Sequence, residues 1–162
     1  MELIACLAEL ARQVRHSTLQ SLDRVDRMCL TWAPPGTSNH ILWHAGHALL
    51  VNDVLTVEPL TGRSEMPRGW DAMFGENSQP AAVTTWPDVS EVRSLLMGQL
   101  DRNLELLSEH ADAIVTRANE ITPSGGWPLL AGIIHGWHDE ARHQGEMHLL
   151  YKLSRANQVA GR

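Results

Sequence analysis

The sequence predicts an all-α fold, a four-helix bundle with a long crossover connection between its second and third helices. Three observations predict it. Four stretches repeat apolar residues at the three-to-four-residue step of a buried helix face. No stretch sustains the two-residue alternation of a half-buried strand. The segment from about Pro59 to Pro87 carries neither period, and a connection of that length is usually functional or disordered.

The first helix is expected from about Glu2 to Leu30. Leu3, Leu7, Leu10, Val14, Leu22 and Val25 mark its inner face, with Glu9, Arg12, Arg15, Arg24 and Arg27 turned elsewhere. Ala33-Pro34-Pro35-Gly36 ends it, because proline lacks an amide donor and forces its predecessor into extended backbone. The second helix opens at the cap-forming cluster Thr37-Ser38-Asn39 and runs through Ile41, Leu42, Ala45, Leu49, Leu50, Val54 and Leu55 to Glu58-Pro59. Within the crossover, Trp70, Phe74 and Trp86 supply packing material, and Asp71-Ala72-Met73-Phe74 suits one short helical turn.

The third helix opens at Asp88-Val89-Ser90-Glu91, an aspartate variant of the capping box, and continues through Val92, Leu95, Leu96, Leu100, Leu104 and Leu107. The fourth begins near Trp127-Pro128, proline being welcome in the first helical turn. It carries Leu129, Leu130, Ile133, Ile134, Trp137, Met147, Leu150 and Leu153, and a polar tail follows Ser154. Residues 1–162 read as a single domain, with enough chain for one real core.

Composition narrows the function classes. Thirteen Lys+Arg against 19 Asp+Glu leave a net charge of −6, and Lys152 is the single lysine, so no basic footprint for nucleic acid exists. No apolar run approaches the roughly 20 residues of a membrane span. Met1-Glu2-Leu3-Ile4-Ala5-Cys6 lacks the basic start of a secretory signal, and a cytoplasmic protein is expected. On a continuous first helix Cys6 and Cys29 stand about 35 Å apart, which excludes a disulfide between them.

Nine histidines are the most informative feature. In the second helix His40, His44 and His47 step by four and three, a polar stripe on an apolar rod. In the fourth, His135, Asp139 and His143 step by four and share one face. Residues at i and i+4 bring two ligands to one ion, imidazole is the usual nitrogen ligand, and three protein ligands leave a position for water or substrate. The competing reading is a hydrogen-bonded polar cluster with no metal. His-Glu-x-x-His is absent, and the one Glu-x-x-His step, Glu140 to His143, falls short of a di-iron carboxylate set.

Trp43-His44-Ala45-Gly46-His47 and His138-Asp139-Glu140-Ala141-Arg142-His143-Gln144-Gly145-Glu146 resemble the DinB/YfiT superfamily over nearly the whole chain. That resemblance implies a four-helix bundle with a crossover, a homodimer, and a divalent metal, zinc or nickel, held by one histidine of the second helix and a His-x-x-x-His pair on the last. Residue by residue it assigns His47 and His143 as metal ligands, with His44 beside them. The middle ligand departs from the pattern, since Asp139 stands where the family has histidine and His138 sits one place early. Either Asp139 replaces the histidine, or a π-bulge brings His138 round.

The resemblance further implies a metal-dependent S-transferase or isomerase, with a low-molecular-weight thiol and a small electrophile as substrates. A hydrolase fits the same metal chemistry. Glu140 and Glu146 are candidate bases, while Trp70, Phe74 and Trp86 are candidates for the pocket mouth. The rival from another class is a non-catalytic, stress-associated dimeric bundle that binds a partner or small molecule.

Overall fold

The computed structural model describes residues 2–160, all of it helix, turn and loop apart from one isolated bridge between Ile121 and Pro128. The fold is all-α. Helix α1 spans Leu3–Arg24, α2 Ile41–Asn52, α3 Glu58–Thr61, α4 Trp70–Phe74, α5 Val89–Glu109, α6 Ala111–Thr116 and α7 Leu129–Ala160. The long helices pack α1 on α5 and α7, and α2 on α7 and α5. No helix among the described residues is long and apolar enough to cross a membrane.

The first helix is shorter than its periodicity suggests. It stops at Arg24, Val25 turns extended, and Arg27–Cys29 form a 3₁₀ turn. The break folds the chain back so that Cys29 and Leu30 are buried and the Leu30 carbonyl accepts from the Leu42 amide at 3.0 Å. Cys6 and Cys29 therefore do not share a helix, though both are free thiols. Tertiary packing overrides a continuous helical pattern here.

The second helix starts later and ends later than expected. His40, rather than Thr37-Ser38-Asn39, is its N-cap: the imidazole Nδ1 accepts from the Trp43 amide at 3.1 Å. At the other end α2 runs into a π turn, Asp53–Val57, and then α3. Pro59 does not stop the rod. The wide turn changes the carbonyl pairing just ahead of the residue that has no amide to donate. Gly62, with φ 79°, closes α3 by donating to the Glu58 carbonyl at 2.8 Å. The short helix expected at residues 71–74 is α4. Helix α5 is capped by Asp88, whose carboxylate accepts from the Ser90 amide at 2.9 Å. Helix α6 was not foreseen, and α7 continues regularly past Ser154.

Two apolar clusters fill the interior. One joins Leu22, Ile41, Leu42, Leu49, Phe74, Leu96 and Met147; the other joins Leu7, Ala11, Leu60, Leu106, Ile133 and Trp137. On every long helix the same short polar layer separates them. Arg15 follows Ala11, Asn52 follows Leu49, Gln99 follows Leu96 and Glu140 follows Trp137. Arg15 donates to both Glu140 oxygens at 2.8 and 2.9 Å, to Gln99 at 2.9 Å and to the Leu96 carbonyl. Asn52 donates to Glu140 at 2.9 Å, and the Arg15 guanidinium lies 5.2 Å from the Trp137 ring centre.

Two expectations change accordingly. Arg15 is not turned outward; it is fully buried on the face of Leu7, Ala11, Thr18 and Leu22. Glu140 is not a free base, because its carboxylate is wholly occupied by Arg15 and Asn52. A buried charge is tolerated only when it is paired and hydrogen-bonded, and this one is both.

Candidate metal centre

Helix α2 is apolar on nearly every side, and its residues 41–49 are all buried, so any polar group there must be satisfied by neighbouring elements. His44 and His47 face α7. His47 lies flat on Trp43, with ring centres 4.7 Å apart and planes 15° apart. Its Nδ1–H donates to the Phe74 carbonyl at 2.7 Å, which leaves Nε2 with the lone pair. Gly46 makes this possible. A Cβ there would lie 2.3 Å from the Phe74 ring, so the absence of a side chain lets α4 sit against α2 and present that carbonyl.

The regular pitch of α7 brings Asp139 and His143 onto the same side as His47. Asp139 Oδ2 lies 3.7 Å from His47 Nε2 and 3.3 Å from His143 Nε2. One ligand atom from each of the three falls within 4.8 Å of the others. Asp139 Oδ1 takes Arg142 at 3.2 Å, while the buried Oδ2 has no hydrogen-bond donor among the described residues. A buried carboxylate oxygen without a donor, facing two imidazole nitrogens, is an arrangement a cation satisfies. The three residues fit a divalent metal.

The electrostatics agree. Burial holds the His47 imidazole below its ordinary value, partly offset by the Phe74 carbonyl, so it stays neutral and able to coordinate. Burial works to raise the Asp139 carboxyl, yet His143, His47 and Arg142 outweigh it and the net shift is downward. A neutral His47 and an ionised Asp139 are the states that metal binding requires.

His143 has a second set of neighbours. Its Nδ1 lies 2.7 Å from His44 Nδ1, and Glu146 Oε2 lies 3.1 Å from His44 and 3.4 Å from His143. Burial, then the proximity of His143, His47 and His40, drive the His44 pKa down to about 3. The imidazole of His143 therefore shows one nitrogen to His47 and Asp139 and the other to His44 and Glu146.

The remaining candidates separate from this group. His40 belongs to the helix cap, with its ring edge-on to Trp86 at 4.3 Å. His138 is exposed and outside both clusters, since α7 has no π-bulge to bring it round; the π turn lies in the 53–57 segment instead. His135 stacks on Trp127 at 4.4 Å. Trp70, Phe74 and Trp86 pack into the core and do not form the pocket mouth.

A cavity of about 540 Å³ opens over His47, Asp139 and His143. Trp43, Val51, Val54, Leu55, Trp127 and His135 contribute to its walls. Gly125 lets the Thr122–Trp127 turn close on Leu55, because a Cβ there would meet the leucine at 2.5 Å. What the sequence could not signal is the Phe74 carbonyl, a backbone atom. The Glu146 contact was legible only as a three-residue step from His143.

The profile of the DinB superfamily matches residues 10–147, which include both histidine motifs and every element of the site. No curated protein matches the chain.

Proposed function

Since this chain belongs to the DinB superfamily, we propose that it is a divalent-metal-dependent enzyme whose ligands are His47, Asp139 and His143. The observation that carries the reading is the buried Asp139 Oδ2, without a hydrogen-bond donor and set between two imidazole Nε2 atoms. A divalent ion held by three protein ligands lowers the pKa of a water or thiol in its open position and supplies a nucleophile near neutral pH.

The protein's own groups do the rest. The Phe74 carbonyl fixes the tautomer and orientation of His47, and Trp43 holds the ring flat. Arg142 neutralises the outer oxygen of Asp139. The apolar walls of Val51, Val54, Leu55 and Trp127 exclude water from a small organic substrate. Transfer of a low-molecular-weight thiol to a small electrophile, or isomerisation through it, is the reaction class that the family membership supports. Zinc or nickel is the proposed ion, and pairing of two copies belongs to the same proposal.

Equilibrium dialysis of tag-free protein against zinc or nickel tests the reading. The tightest site weakens at least tenfold in His47→Ala and Asp139→Asn, disappears in His143→Ala and is unchanged in His110→Ala. Wild-type protein that holds no ion tightly overturns it. Thiol consumption with a panel of electrophiles then separates a transferase from a non-catalytic bundle.

A further inference from the structure

Three features go beyond the site as proposed. A polar groove between α1 and α7 near Ser21 and Gln144 has no buried polar side chain in its lining. Asp53, at the start of the π turn, is buried with one oxygen bound to the Glu65 amide at 2.9 Å and the other without a donor, but among the described residues it belongs to no group of three ligating side chains. The third feature is the set His44, His143 and Glu146, and it carries an inference.

We propose that His143 bridges two divalent ions: its Nε2 serves the His47–Asp139 position, and its Nδ1, with His44 Nδ1 and Glu146 Oε2, forms a second metal position. This rests on the reading of His47, Asp139 and His143 as ligands and extends it. The second triad stands on its own distances. Around one ion with bonds of about 2.0–2.1 Å, ligand atoms lie roughly 2.9–3.4 Å apart. The two carboxylate contacts, 3.1 and 3.4 Å, fall in that range. The 2.7 Å contact between the Nδ1 atoms needs a few tenths of an ångström more, which a small ring rotation supplies.

Access and chemistry support the second position. A separate cavity of about 450 Å³ reaches His44 and Glu146 from the side of Pro34, Ser38 and Leu153, so an ion enters without crossing the first position. The ligand set is two nitrogens and one carboxylate oxygen, suited to zinc, nickel or copper. Without an ion, the short contact between two Nδ1 atoms requires one shared proton, because two neutral acceptors at 2.7 Å otherwise repel. The ion takes that proton's place: one proton leaves the His44–His143 pair, and His143 coordinates as imidazolate when both positions are filled.

The test uses full-length, tag-free protein dialysed against zinc to saturation and assayed for bound metal. Wild type is expected to hold two ions per chain, and Glu146→Gln and His44→Ala one. Glu146 is half-exposed, so its variant folds even if the buried His44 variant does not. Copper(II) supplies an independent readout. Two coppers bridged by an imidazolate couple magnetically, so the integrated spin-resonance signal of wild type falls well below two spins while Glu146→Gln returns one full spin. One ion per chain in wild type, unchanged in Glu146→Gln, overturns the bridge and leaves the single centre standing. Two ions that persist in Glu146→Gln and His44→Ala also overturn it, and no ion in wild type refutes both readings.

Discussion

Replacing Glu140 with glutamine should destabilise the protein severely without removing a metal ligand. Both partners of the Arg15–Glu140 pair are fully buried, and the carboxylate receives three hydrogen bonds, two from Arg15 and one from Asn52. The variant leaves the guanidinium in the interior with no counter-charge, a change that costs about 3–5 kcal/mol. At roughly 2–4 °C per kcal/mol for a chain of this size, the melting temperature falls by about 6–20 °C. Removing both charges together, as Arg15→Met with Glu140→Leu, should recover more than half of that loss, because two apolar side chains need no compensation. The two sites are in contact, so their effects must be non-additive. Thermal and urea denaturation of wild type, Glu140→Gln, the singles Arg15→Met and Glu140→Leu, and their double variant, in chelator, measure the coupling. A Glu140→Gln protein that melts within about 2 °C of wild type, or a double variant no better than the sum of the singles, refutes the argument.

Gly46→Ala should weaken the tightest metal site by about ten- to a hundredfold, since the new Cβ displaces Phe74 and with it the carbonyl that orients His47; chelator competition reads this directly. His40 gives a pH signature. Its folded pKa is lowered from 6.5 to about 4, chiefly by burial, so the unfolded chain binds its proton first as the solution is acidified. The contribution is intact above pH 6.5 and is lost as pH falls from 6.5 toward 4, by up to about 3 kcal/mol. Urea titrations of wild type and His40→Asn at pH 7, 6 and 5 should converge at the acid end, asparagine being a sound helix cap without a titrating group. Equal slopes against pH would dismiss His40 as the cause.

Much of the architecture was readable because burial imposes a period. The faces of α5 and α7 followed from their apolar spacing, and the i, i+4 step of Asp139 and His143 places them together wherever α7 stays regular. Arg15 was misread for a physical reason: a charged residue signals exposure unless its partner is known, and Glu140 is 125 residues away. Its register with Ala11, Thr18 and Leu22 was the available clue. His40 looked like part of a stripe because spacing alone does not say whether a residue lies within a helix or caps it. The end of α1 and the π turn have no glycine signal and no proline within them; tertiary packing fixes the one, and Pro59 downstream shapes the other.

The widened turn at Asp53–Val57 divides one continuous rod into two segments. Upstream, Ile41, Leu42 and Leu49 pack with the histidine-bearing end; downstream, Val57 and Leu60 belong to the other cluster. Because a π turn holds one residue more than an α turn, deleting a single residue inside it restores ordinary pitch with Leu60 on nearly the same face, while His44 and His47 keep their places. Such a joint absorbs the gain or loss of one residue over evolutionary time while the packing at one end and the chemistry at the other are inherited unchanged.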